Sequence, residues 1–179
     1  MLQITVPAGE RFNEATNEFI VTKEETLTLE HSLLSLAKWE SKWHKSYLSG
    51  KDIKPEEMLD YVRCMTINKV SDPEIYNLLS RENMAAIQAY IENPMTATTF
   101  SNKKGRRDKS IITAEIIYYW MVSFGIPFEC EKWHLNRLLT LIQVCSIKNE
   151  PSKKMSKRDI YKRNSALNAA RRAKMGTTG

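Results

Sequence analysis

The sequence is poor in the residues on which several common classes of protein depend. Its 179 residues include only six glycines, and neither of the common Gly-rich phosphate loops occurs. The three cysteines, Cys64, Cys130 and Cys145, are odd in number and far apart. This is the pattern of free thiols in a reducing compartment, and it argues against a disulfide-stapled secreted fold.

Long apolar runs are also missing. A membrane-spanning helix needs about 18 or more consecutive apolar residues, and no segment comes close to that length. The N-terminal stretch "MLQITVPAGERFNEATNEF" has no basic head followed by an apolar stretch, so it does not have the form of a secretory signal. We therefore expect no membrane contact and a protein made in, and acting in, a cytosol.

Catalytic and metal-binding signatures are scarce. Neither G-x-S-x-G nor H-E-x-x-H occurs, and no nucleophile and base stand at a familiar spacing. Cys130 and His134 are spaced so that two ligands could share one helix face, but no second pair has zinc-like spacing. We expect a structural thiol and a capping or surface histidine there. The sequence predicts no catalytic residues, no metal, no cofactor and no enzymatic activity.

The charge that is present is distributed unevenly. The net charge is +6, and the 42% apolar content is enough for a hydrophobic core. Residues 1–101 carry a net charge of −5 and residues 111–150 one of −1, whereas residues 102–110 carry +4 and residues 151–179 carry +8. A mildly acidic body therefore bears two basic segments.

Hydrophobic periodicity and capping residues predict a mainly α fold of about six to seven helices with a short N-terminal β-ribbon. The β-branched segments 2–6 and 19–22 are predicted as strands that could pair with each other. The predicted helical segments are about 24–48, 55–66, 73–79, 80–93, 112–123, 129–147 and 157–174. For residues 112–121, helix and buried strand are both compatible with the composition, and the flanking Thr113 and Gly125 favour a helix.

The same patterns divide the chain into four parts. Residues 1–101 form the β-ribbon and the first helices, and residues 102–111 form a basic loop. Residues 112–150 are predicted to form a helical hairpin in the core, and residues 151–179 a basic linker and helix. The first three parts would make one compact domain, with the fourth as an appendage.

Two regions are candidate contact surfaces. In the helix predicted over 29–48, tryptophans alternate with lysines, and an acidic residue, Glu40, occupies one position of the apolar stripe. The tryptophans could be core residues or could form part of a binding face. The C-terminal helix could attract any polyanion, could dock on another helix or an acidic groove, or could simply be solvated. The candidate protein-binding residues are Trp39, Lys42, Trp43, Lys157, Arg158, Arg163, Arg171 and Arg172, and the possible polyanion contacts are Lys103, Lys104, Arg106 and Arg107.

Two blocks carry a resemblance to a known group of proteins. They are "LEHSLLSLAKWESKWHKSYLS…DYVRCMTI" within 29–67, and residues 112–179, which begin "ITAEIIYYWMVSFGIPFECEKWHLNRLLTLIQVC". Together they resemble the small tail assembly chaperones of long-tailed bacteriophages, which are encoded just before the tape-measure protein. The resemblance implies a mostly helical, non-catalytic protein. It would keep the apolar helices of the tape-measure protein in solution, recruit tail-tube subunits and act in the host cytoplasm.

Two other functions remain open at this point. A virion structural protein of the neck or tail tube would stay in the particle, whereas a chaperone would leave it. A nucleic-acid-binding module would use "NKKGRRDK" and the C-terminal helix, with an affinity that falls steeply as salt is added. Association with further copies of the chain is compatible with all three functions.

Overall fold

A computed structural model describes residues 1–13, 17–50, 53–100, 111–149 and 156–176. In these residues the chain is mainly helical, as predicted, with a short N-terminal β-structure made of two antiparallel strand pairs. The strands are β1 (Leu2–Val6), β2 (Gly9–Asn13), β3 (Glu18–Thr22) and β4 (Glu25–Leu29). The α-helices are α1 (Leu33–Trp43), α2 (Pro55–Met65), α3 (Arg81–Glu92), α4 (Ala114–Ser123), α5 (Leu135–Asn149) and α6 (Lys157–Met175). Short 3₁₀ helices occupy Tyr47–Ser49, Pro73–Leu78 and Phe128–Lys132.

The strand pairing differs from the expected ribbon. Both predicted strands exist, but β1 pairs with β4 and β3 pairs with β2. The prediction of helix from about residue 24 was wrong for 25–29, because "ETLTL" alternates with period two. Its two leucines are buried, and this strand sits opposite β1 in the register Leu2↔Leu29. Leu29 still faces the core, which is why it fitted the apolar stripe of the helix that follows.

A third backbone segment extends this sheet on the other edge of β4. Residues 66–67, just after α2, run beside the strand: the amide of Ile67 donates to the Thr28 carbonyl at 2.9 Å. The side chain of Asn68 completes the edge. It accepts from the Thr28 amide at 2.7 Å and donates to the Thr26 carbonyl at 3.0 Å. The end of α2 is therefore fixed to the N-terminal sheet.

Most helix ends are where their capping residues predict them. Ser80 and Ser156 accept hydrogen bonds from the amides of Asn83 and Asp159, and Pro55 opens α2. Residues 114–123 are helical, which settles the helix-or-strand alternative in favour of helix. Two segments expected to be α-helical are instead 3₁₀ helices, Pro73–Leu78 and Phe128–Lys132, and α1 ends at Trp43 with the later Tyr47–Ser49 turn separate from it.

The core forms around α1, against which α2, α4 and the Phe128–Lys132 turn pack. Residues from both sides of the basic loop share it, so α4 and α5 contribute to the same core as α1, α2 and the sheet. Among its fully buried members are Leu27, Leu29, Leu33, Leu36, Trp39, Tyr61, Val62, Ile117, Met121, Leu135 and Leu138.

The chain divides into two compact units, Met1–Ile147 and Lys148–Gly179. The first contains the sheet and the core described above. In the second, the structure describes a capping serine and the long helix α6, none of whose residues is buried.

Candidate functional site

The tryptophan-rich segment of α1 faces inward more than expected. Trp39 is fully buried, and its indole Nε1 donates to the Glu57 carbonyl of α2 at 2.7 Å. Its ring meets Tyr47 edge-on at 5.2 Å between centroids. The interpretation of Trp39 as a partner contact is therefore corrected: its side chain is a central core residue that joins α1 to α2.

Lys42 and Trp43 also contact α2. Lys42 Nζ lies 2.6 Å from Asp60 Oδ1 of α2, and Trp43 Nε1 donates to Asp60 Oδ2 at 2.8 Å. Burial acts to raise the pKa of the Asp60 carboxyl, but the hydrogen bonds from Lys42 and Trp43 outweigh it and hold the pKa below its usual value. Both side chains stabilise the α1–α2 pair. Lys42 is also exposed enough for an outside contact, and Trp43 is half-buried.

Glu40, the acidic residue in the apolar stripe of α1, has a structural role. It is buried, and its carboxylate accepts from the amide of Ala114 at 2.7 Å and from the amide of Tyr47 at 3.0 Å. Thr113, at the capping position of α4, makes no capping hydrogen bond, so Glu40 caps that helix from α1. Burial raises the pKa of Glu40, the two amide hydrogen bonds lower it in part, and the charge of Glu115 raises it again.

The predicted basic loop cannot be compared with the structure. Lys103, Lys104, Arg106 and Arg107 lie outside the described residues. Their role as polyanion contacts stays a prediction from the sequence.

Helix α6 presents the predicted basic residues to solvent. It begins with a capping serine, Ser156, whose hydroxyl also lies 2.6 Å from Asp159 Oδ2, and it ends at Gly176 in the left-handed conformation. Every residue from 156 to 176 is exposed. Its seven cations are Lys157, Arg158, Lys162, Arg163, Arg171, Arg172 and Lys174, against the single acid Asp159.

Two large apolar residues of α6, Ile160 and Leu167, share one side of the helix. Ile160 and Leu167 are seven residues apart, so at about 3.6 residues per turn they lie on one face of the helix. They are less exposed than the other large apolar residues of α6, at 45% and 46% against 77% for Tyr161 and 78% for Met175. By the same helical geometry, the cations that flank this pair are Lys157, Arg163, Arg171 and Lys174, whereas Arg158, Lys162 and Arg172 lie on the opposite half. We call the first side the Ile160 face.

Besides a concave surface beside residues 21–25 and 71–72, the first unit has two others. One is an apolar groove of about 330 Å³ between α4 and α5, lined by Trp120, Phe124, Leu139, Ile142, Gln143 and Ser146. On another side of α4, Tyr119 and Val122 are exposed. The other is a pocket of about 490 Å³ beside Glu30, whose carboxylate accepts from the Tyr90 hydroxyl at 2.8 Å and pairs with the Met1 amine at 3.2 Å.

The Glu30 pocket contains the thiol of Cys64. Burial and the Asp60 charge raise the pKa of this thiol, which favours its protonated form. Cys130 and His134 are both buried. His134 donates through Nε2 to the Tyr90 carbonyl at 3.0 Å, and no cluster of three or more His, Cys, Asp or Glu that could hold a metal ion is found in the parts of the chain that the structure describes.

No helix within the described ranges is both long enough and apolar enough to cross a membrane. No family model matches the chain, and neither a curated protein nor a solved structure matches it.

Proposed function

We propose that this protein is a bacteriophage tail assembly chaperone that acts by reversible binding. The resemblance of residues 29–67 and 112–179 to that group supports the proposal, and so does the character of α6. The observation that carries it is a 19-residue helix with seven cations and no buried side chain. Most of the stability of helices in proteins comes from packing of one face, and no side chain of α6 is buried, so a partner that covers the helix would stabilise it.

The Ile160 face defines the kind of partner that α6 would bind. Ile160 and Leu167 offer a short apolar stripe, and four cations lie beside it. A groove that is apolar along its floor and acidic along its rim matches this pattern. Burial of the apolar stripe would supply affinity at about 25 cal/mol per Å², while the flanking charges would set orientation and association rate. The proposed partners are the tape-measure protein and the tail-tube protein.

The test is co-purification of the full chain with the product of a neighbouring tape-measure reading frame and with the tail-tube subunit. One triple variant, Arg163→Gln, Arg171→Gln and Lys174→Gln, removes three of the four charges of the Ile160 face. A matched variant, Arg158→Gln, Lys162→Gln and Arg172→Gln, removes the same net charge from the opposite half. An exposed charge pair contributes at most about 1 kcal/mol, so loss of three weakens binding by up to about a hundredfold.

We expect the first variant to lose affinity for the partner and the matched variant to keep it within about threefold. Absence of any complex between the unsubstituted chain and either tail protein would refute the proposal. Equal losses in both variants would refute the assignment of the Ile160 face.

Nucleic-acid binding is the second candidate, and the distribution of charge favours it. The seven cations occupy both halves of α6, which suits a polyanion that the helix can approach from any side. In this case both triple variants would weaken binding to a DNA duplex equally. The affinity of the unsubstituted chain would also fall steeply between low and physiological salt, with a log–log slope of about −0.9 for each phosphate contact.

A further inference from the structure

Two of the three histidines touch each other in the core. His31 and His134 are 2% and 7% exposed, and their ring centroids are 5.1 Å apart in an edge-to-face arrangement. They stand where two helices begin. The backbone joins there as well: the Leu135 amide donates to the His31 carbonyl at 2.7 Å, and Ser32 forms a β-bridge with His134. We call this contact the α1–α5 junction.

The hydrogen bonds of both rings fit the neutral form. The Tyr61 hydroxyl lies 2.7 Å from His31 Nδ1. His134 Nε2 faces the Tyr90 carbonyl, which can only accept, so Nε2 carries the proton. His134 Nδ1 is buried and has no hydrogen-bond partner among the described residues. A second proton on His134 would therefore point at no acceptor, and a charge on either ring would lie beside the other ring.

The groups that face the pair do not compensate such a charge. Tyr61 of α2 and Tyr90 of α3 are neutral, and Tyr90 directs its hydroxyl to Glu30 at the end of β4. Glu30 is an anion near His134, and the Met1 amine is bound to it at 3.2 Å. The favourable field of Glu30 is thus opposed by the cationic amine.

We infer that the His31–His134 pair is an acid-sensitive device, which holds the α1–α5 junction closed while both rings are neutral and opens it when either ring is protonated. The inference stands independently of the proposed function. The histidine pair needs no ligand or partner chain for this response, because both rings and the groups around them belong to the first compact unit.

The direction of the pH dependence follows from the titration of the two rings. Burial lowers the pKa of His31 to about 3, with a further contribution from His134. Burial also lowers the pKa of His134, although the Tyr90 hydrogen bond and Glu30 raise it in part. Between the unfolded pKa of about 6.5 and these lower values the unfolded chain binds more protons, so stability is full above that window and declines as the pH falls through it.

The test compares urea unfolding of the full chain at about pH 7.5 and about pH 4.5. His31→Asn places a carbonyl oxygen near the position of Nδ1, and His134→Gln places an amide donor near Nε2. His44 is exposed, and His44→Asn serves as the matched control because asparagine tolerates its left-handed backbone. The quantity compared between variants is the ratio of the unfolding equilibrium constants at the two pH values. A loss of stability that is equal at both pH values cancels in this ratio, and the contribution of carboxylate titration is common to all the variants.

For a histidine that is buried in its neutral form, each pH unit below the unfolded pKa raises the unfolding equilibrium constant about tenfold. We expect His31→Asn to remove this contribution. The rise in the constant on acidification would then be up to about a hundredfold smaller than in the unsubstituted chain. His134→Gln should shrink it in the same direction, and His44→Asn should leave it unchanged. Equal ratios in the unsubstituted chain and in either core variant overturn the inference. So does an NMR titration in which the folded chain protonates either buried ring near pH 6 without opening.

Discussion

Replacement of Trp39 by alanine is expected to lower the free energy of unfolding by about 4 kcal/mol, because a fully buried indole leaves a large cavity. The loss has a second component. The Glu57 carbonyl would lose the donor that now stands 2.7 Å away, inside the α1–α2 contact. Total stability of a domain is about 5–15 kcal/mol, so urea unfolding at low temperature is the appropriate measurement.

Two variants make this prediction specific. Trp39→Phe keeps most of the buried ring but removes the donor, and we expect it to cost about 2 kcal/mol. Tyr119→Ala truncates an aromatic residue that is 68% exposed on α4, and we expect a change within about 0.5 kcal/mol. If Trp39→Ala costs as little as Tyr119→Ala while binding to a partner is lost, the indole is a contact residue, as the sequence alone allowed.

Replacement of Glu40 by alanine is expected to lower the free energy of unfolding by about 3 kcal/mol. The change leaves the amides of Ala114 and Tyr47 without an acceptor in a buried site, and each such group costs about 1–3 kcal/mol. The Ala114 bond is also the cap of α4, since Thr113 does not provide one. Part of this cost is offset, because the ionised carboxylate is itself penalised by burial, as its raised pKa indicates. Urea unfolding near neutral pH measures the net effect.

Glu40→Gln separates hydrogen bonding from charge. The amide keeps one acceptor oxygen, so it can serve one of the two backbone amides, and we expect about half the loss seen with alanine. Glu82→Ala is the control. Glu82 is also a helical glutamate, in the first turn of α3, but its side chain is exposed. Comparable small losses in Glu40→Ala and Glu82→Ala would contradict the capping role.

Local sequence signals predicted much of the helical part of the fold. Ser80, Ser156 and Pro55 are found at the helix starts where they were expected, because a capping hydrogen bond or a proline at the first turn depends on neighbours only a few residues away. The strand β4 was predicted as helix because its local pattern is ambiguous. Leu29 continues the apolar stripe of the helix that follows, whereas Leu27 and Leu29 together alternate as in a strand, and the pairing with β1 favours the strand.

The sequence predicted the exposed helix α6, but it did not predict which residues of α1 contact α2. The basic composition and the start of α6 indicated an exposed helix, and no burial is needed to form one. Trp39 and Lys42 looked equally suited to a surface, but α2 covers the first and pairs its Asp60 with the second. The sequence does not state which side of α1 meets α2, so it could not assign these residues.

The sequence by itself determined the segments that become helices, the separation of an acidic body from basic pieces, and the exposed character of α6, because propensity, capping and charge are properties of near neighbours. Only the tertiary structure decided the roles of Glu40, His31 and His134. Their partners, Ala114 for Glu40 and the facing ring for each histidine, lie far along the chain. A buried polar group gains a role only when folding removes water and brings a distant donor or acceptor to it.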